Sequence, residues 1–110
     1  MSRADVLQGT GPTPGSYAKI KIGAKKDGTT TAPHAYLAME AGAYPGSPAG
    51  AGPTCVLAPH DLVNALADVY AVLVSKPKAA ASRPPGPPNA AFAAEPVVDE
   101  VAQAQGTDAL

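Results

Sequence analysis

The sequence predicts an α+β fold: a β-hairpin, a further strand and a C-terminal helix. Three observations predict it. Tyr17-Ala18-Lys19-Ile20-Lys21-Ile22 alternates apolar and polar residues ahead of an Asp27-Gly28 turn. A second alternating run, centred on Val69, Ala71 and Leu73, follows a long Gly/Pro-rich stretch. An alanine-rich run from Asn89 to Gln105 is closed by Gly106. The expected boundaries are a hairpin at about 16–40, a loop at 41–59, a strand at about 67–75, a proline-rich loop at 77–88 and a helix at about 89–105.

Each element has a local cause. In the first strand Ala18, Ile20 and Ile22 share one face while Tyr17, Lys19 and Lys21 share the other, the period of a half-buried strand. Asp-Gly tolerates the positive φ angles that a tight hairpin needs. The return strand is expected from Thr29 to Glu40, with Pro33, which has no N–H, implying an edge position or a bulge early in it. Residues 41–59 are dominated by Gly, Pro, Ser and Ala and read as an irregular crossing loop. Val69, Ala71 and Leu73 alternate with Asp68, Tyr70, Val72 and Val74, a pattern that reads as buried on both faces. Asn89 is the expected N-cap of the final helix, whose apolar stripe includes Phe92, Val98 and Ala102. Pro96 is the anomaly, because an interior proline deletes a hydrogen bond and costs about 3 kcal/mol unless the helix kinks there.

Composition sets the limits. A chain of 110 residues holds one domain at most. Hydrophobic residues make up 45%, but with one Phe and no Trp the apolar mass lies in small side chains. Each buried Ala contributes far less than the ~1.5–3 kcal/mol of a buried Val, Leu or Phe. The 13 Pro and 11 Gly bring the chain close to the ~25% Pro plus Gly that shades into low complexity. Residues 1–55 hold five basic side chains against three acidic, the remainder three against six, for a net charge of −1. There is no basic stripe with a stacking platform, which argues against a nucleic-acid partner. Cys55 is the only cysteine, so neither an internal disulfide nor a thiolate metal cluster is available. No charged-then-apolar leader and no apolar run near ~18 residues occurs, so no membrane span and a cytoplasmic location are expected.

The order of residues says more than composition. Gly23-Ala24-Lys25-Lys26-Asp27-Gly28-Thr29, Ala41-Gly42-Ala43-Tyr44, Asn64, Lys76-Pro77, Arg83, Gly86, Ala91-Phe92-Ala93, Glu95, Asp99-Glu100 and Gly106 occur in register along nearly the whole chain. In this the chain resembles an internal segment of the molybdopterin-binding large subunit of the molybdenum hydroxylases, which include xanthine dehydrogenase, aldehyde oxidase and aerobic carbon monoxide dehydrogenase. The resemblance implies that residues 1–110 are a partial molybdopterin-binding domain of an oxidoreductase. In that family molybdenum on a pterin dithiolene oxidises an electron-poor carbon with a glutamate as general base.

The resemblance also implies a site. Arg83 would approach the cofactor, Gly86 would keep the loop tight beside it, and Pro85 would stand on the substrate side, where purine-oxidising members carry an aromatic. A proline packs against a flat ring but cannot stack π on π, which counts against a purine substrate and leaves room for a small or aliphatic one. No catalytic residue and no metal ligand is assigned. The family's cofactor-binding glutamine segment lies upstream of the matched region and its catalytic glutamate far downstream. The chain alone is therefore expected to bind no cofactor and to turn over no substrate. Its implied partners are the remainder of the large subunit and the iron-sulfur and flavin domains or subunits. His60, Val63 and Ser82 depart from the family's pattern, and Pro96 and Gln105 interrupt its helix stripe, as in a truncated or decaying copy.

Other readings of the same residues remain open. Arg83 is also a solvated charge beside a polyproline segment, and Arg83 to Pro88 would suit an SH3 or WW module as a polyproline II ligand. The chain would then be a non-enzymatic relic or a proline-rich interaction protein. His34 and His60 lack a partner cluster for a metal. Asp99 and Glu100, adjacent on a helix, point about 100° apart and read as a solvated face; Cys55 reads as a small filler. A thin core and unpaired strand edges predict marginal stability and self-association of the isolated chain. Circular dichroism should show a weakly cooperative melt, and sedimentation should show species larger than a monomer.

Overall fold

The computed structural model describes residues 1–81, Pro84 and residues 86–108. Arg83 and Pro85 lie outside the described residues. The elements are α1 (Arg3–Gly9), β1 (Ser16–Lys21), β2 (His34–Gly42), a 3₁₀ turn (Pro48–Gly50), α2 (Gly52–Val56), β3 (Leu66–Leu73) and α3 (Pro87–Gln105). The sheet has the order β1-β2-β3, with β1 antiparallel to β2 and β2 parallel to β3. A parallel pair needs a crossover, and the 3₁₀ turn and α2 provide it in the stretch read from sequence as an irregular loop.

The hairpin turn forms at the Asp-Gly pair. Lys25 N–H donates to Thr29 O (2.9 Å) and Gly28 N–H to Lys25 O (3.0 Å). Asp27 Oδ1 accepts from Thr29 N–H at 3.0 Å, a bond that lowers the Asp27 pKa. Gly28 takes φ 88°. Upstream, α1 owes its start to a capping box: Asp5 N–H donates to Ser2 Oγ (3.2 Å) and Ser2 N–H to Asp5 Oδ2 (2.8 Å). This helix buries none of its residues.

Several expectations change in three dimensions. Pro33 marks neither an edge nor an early bulge: β2 begins at His34 and is the central strand. Pro33 sits just before it, where its missing N–H breaks no ladder and its carbonyl accepts from Leu66 N–H at 3.0 Å. The irregularity comes late, between Glu40 and Gly42. β3 is not buried on both faces; it is an outer strand on which Leu66, Tyr70, Val72 and Leu73 keep 42–60% of their surface exposed. Apolar alternation alone cannot separate a central strand from an edge strand whose neighbour lies elsewhere.

The final helix also starts earlier than Asn89. Gly86 is its N-cap, at φ 91°, and Pro87 and Pro88 form the first turn, where a missing N–H is tolerated. Those two prolines are helical, not polyproline II. Asn89 instead donates from Nδ2 to Ser16 Oγ (2.9 Å), tying the helix to the start of β1. At the other end Gln105 Nε2 donates to Lys25 O (2.7 Å), clamping the hairpin turn, and Gly106 closes the helix in the left-handed region. Phe92 lies on the solvent side, 84% exposed, and the buried stripe is Ala90, Ala94 and Ala102. Pro96 is exposed too. The carbonyl of Phe92 that its ring deprives of a donor therefore sits on the wet side, and the helix runs through unbroken.

The helices cover one face of the sheet. Ala35, Leu37, Val56, Leu57, Ala90 and Ala94 form the core, with Ala18, Ile20, Leu62, Ala67 and Val69 packed against it. Among the described residues only Leu37, Met39 and Val56 are large and fully buried. At the end of β2, Gly42 takes φ 78°, and a Cβ there would lie 2.6 Å from Lys78 Cα and nearer still to the Pro77 carbonyl oxygen. Beside it Lys76 Nζ donates to both oxygens of Glu40 (2.8 and 2.9 Å) and Gly15 N–H donates to Glu40 Oε2 (3.2 Å). The Lys76 bond chiefly, with the Gly15 N–H assisting, holds the Glu40 pKa below its ordinary 4.5.

The end of β2 can be probed in two ways. Gly42→Ala combines a left-handed conformation, about 1–2 kcal/mol for a residue with a Cβ, with a backbone collision; urea titration should show a loss larger than that figure. Gly50→Ala, where no atom lies within 4 Å of the new Cβ, should leave the midpoint nearly unchanged. For Glu40 the depressed pKa means that its contribution is present above 4.5 and is lost as pH falls through the lower folded value. Glu40→Gln should flatten that acid limb in melts recorded from pH 6 to pH 3, leaving the part due to Asp5 and Asp27, which are also lowered.

Candidate functional site

After β3 the chain does not leave the sheet. Val74 N–H donates to Gly42 O (3.1 Å), Ala43 N–H to Lys76 O (2.9 Å), Ala79 N–H to Ala41 O (2.9 Å) and Ala80 N–H to Pro12 O (3.0 Å). Residues 76–80 are thus a strap laced between the end of β2 and the segment ahead of β1. Gly11 lies so close beneath that its Cβ would strike Ala80. The strap delivers the chain to the proline-rich stretch, and Gly86, buried and at positive φ, turns it into α3.

Beside the strap lies an open cleft of about 540 Å³ lined by Gly11, Gly46, Ser47, Lys78 and Ala79 to Ala81. Its size falls within the ~300–1,000 Å³ of small-molecule sites. Among the described residues Lys78 supplies its only charged side chain, and its walls are otherwise glycine, alanine, backbone and one hydroxyl. The Ser47 hydroxyl accepts from Ala49 N–H at 3.1 Å. A flat ligand can approach such walls closely because few side chains stand out from them, and the ammonium favours a negative group at one end.

The N-terminus of α3 offers an anion fewer donors than an ordinary helix start. A helix start normally offers four free N–H groups. Here Pro87 and Pro88 have none, and the helix's own bonding begins with Ala90 N–H donating to Gly86 O at 3.2 Å.

Gly86 stands at the junction of loop and helix, while Arg83 and Pro85 lie outside the described residues. Lys78 was not among the expected site residues; its signal in sequence was one cation set among Pro77 and Ala79 to Ala81. The histidines form separate pairs. His34 Nε2 bonds Asp68 Oδ2 at 2.7 Å across β2 and β3. His60 Nε2 lies 3.3 Å from Glu95 Oε1 without hydrogen-bond geometry. Among the described residues no group of three His, Cys, Asp or Glu side chains could hold a metal ion. Asp99 and Glu100 are exposed, and Cys55 is a half-buried free thiol. Among the described residues no helix is long and apolar enough to cross a membrane.

Comparison with known proteins places this architecture. The structure is similar to that of the aldehyde oxidoreductase from Desulfovibrio gigas (MOP), activated with sodium dithionite and sodium sulfide, with a TM-score of 0.76 and 25% sequence identity. The match covers 96% of this chain and 12% of that one, so this chain corresponds to a small part of that protein. No curated protein matches. The family model of the molybdopterin cofactor-binding domain matches residues 1–110. The three-stranded sheet, its helices and the strap at its end thus correspond to a piece of a larger fold, and the chain belongs to the molybdopterin cofactor-binding domain family.

Proposed function

We propose that this chain contributes the loop at 77–88 and the cleft beside it to a molybdenum-molybdopterin site completed by further polypeptide, and that it is inactive by itself. The observation that carries the reading is the family match over the entire chain. Its support in the geometry is a cleft of suitable size next to the strap, with the Lys78 ammonium at its rim to meet a phosphate and glycine walls that admit a flat pterin. Arg83 would hold the cofactor from the loop, Gly86 would set the loop's approach to it, and Pro85 would face the substrate. When bound, the cofactor supplies the oxidising centre; this chain binds and orients it from one side. The rest of the large subunit would close the site, and iron-sulfur and flavin domains would carry electrons away.

The purified chain should contain no stoichiometric molybdenum by mass spectrometry and no pterin fluorescence. Both should appear when it is produced as part of the completed subunit. In that subunit Gly86→Ala places a Cβ at φ 91°, a strain of about 1–2 kcal/mol, and should lower cofactor occupancy up to about tenfold. Stoichiometric molybdenum on the chain alone, or full occupancy in the Gly86→Ala subunit, would sink the reading.

A further inference from the structure

The face of the sheet opposite the helices is left without a covering element among the described residues, and it mixes exposed aromatic and aliphatic side chains with charged ones. Tyr17 is 62% exposed, Leu66 55%, Tyr70 51% and Val72 42%. The tyrosines form a ladder across all three strands: Tyr17 meets Tyr36 edge to face at 6.2 Å, and Tyr36 meets Tyr70 at 5.2 Å. Large exposed apolar and aromatic side chains grouped on one face in this way mark an interaction site.

We propose that this face docks a second copy of the same chain, sheet face on sheet face, about a two-fold axis parallel to the strands and passing by Tyr36. The argument is charge complementarity. Lys19 on β1 is level with Tyr36 on β2, and Tyr36 is level with Asp68 on β3. One row of the face therefore reads cation, aromatic, anion. Rotation about the axis exchanges the outer strands and keeps each row at its own height. It sets Lys19 of each copy over Asp68 of the other, Tyr17 over Tyr70 in the next row, and Tyr36 on its own mate.

Stacked sheets lie ~10 Å apart and within about 30° of parallel, a gap that a lysine and a carboxylate span. His34 uses Asp68 Oδ2, and a carboxylate has capacity for a further donor. Glu40 falls on the axis opposite its own copy, but Lys76 neutralises it at 2.8 Å. The Lys21 stem covers Leu66 of the other copy, in the manner of a snorkelling lysine. The contact is isologous and closes at two copies.

Sedimentation equilibrium of the full chain over a concentration series tests this, with circular dichroism to confirm folding of each variant. The wild type should fit a monomer–dimer equilibrium that weakens as salt rises. Lys19→Asp and Asp68→Lys should each raise the midpoint concentration roughly tenfold or more, because each sets like charges opposite one another. The double variant K19D/D68K restores opposite signs and should return the midpoint most of the way, an effect that a merely structural role for either residue would not produce. A wild type that stays monomeric, which would leave the face to a different polypeptide, overturns the proposal. So does association that does not stop at two copies, or a double variant no better than the singles.

Discussion

At the end of β2 two backbones run too close together for a side chain to come between them. Gly42, at φ 78°, has the Pro77 carbonyl and Lys78 Cα where its own Cβ would be. That approach positions the chain downstream of β3. It lets Ala41 O and Lys76 O enter the hydrogen bonds of the strap and sets Lys78 at the rim of the cleft. It also brings Glu40 and Lys76 within 2.8 Å although 36 positions separate them. A larger residue at 42 would lift the strap from the sheet and carry the approach to Gly86 and α3 away with it.

The same economy of side chains runs through the core. Ala90 and Ala94, one turn apart, let α3 lie close against a sheet whose inward positions are Ala35, Leu37 and Met39. Gly52 admits the Met39 side chain, whose Cε lies 3.0 Å from where a Cβ would stand. Small residues give close approach but little transfer free energy, so polar ties at the ends of elements take on weight. Asn89 to Ser16 and Gln105 to Lys25 hold α3 at both ends to the hairpin. Gln105, which interrupts an apolar stripe in sequence, is thus a clamp.

The cleft arises from the same construction. Among the described residues its walls are backbone, methyl groups and the Ser47 hydroxyl, a surface that offers shape more than chemistry, with Lys78 as its one charge. The prolines at the start of α3 remove two of the donors that a helix terminus would present to a phosphate. In the function proposed above, a piece built this way orients a ligand and leaves reactive groups to the remainder of a longer polypeptide; the chain matches 12% of the length of the aldehyde oxidoreductase.

Local order determined much by itself. The alternation at Tyr17 to Ile22, the Asp27-Gly28 turn and the Gly106 stop are short-range effects of side-chain period and φ preference, and they appear where the residues demand them. The sequential order of motifs along the chain was enough to indicate the family, because order and spacing are properties of the sequence itself and need no knowledge of which residues meet. Tertiary structure alone decided what depends on distant partners. Pro33 lies before a central strand because β3 pairs on the far side of β2, and β3 is an edge because nothing among the described residues pairs beyond it. Phe92 faces water because the alanine face of α3 fits the sheet more closely. Lys78 came to line the cleft, and Glu40 to meet Lys76, only when the chain returned to Gly42. Periodicity records which residues share a face; it does not record what that face meets.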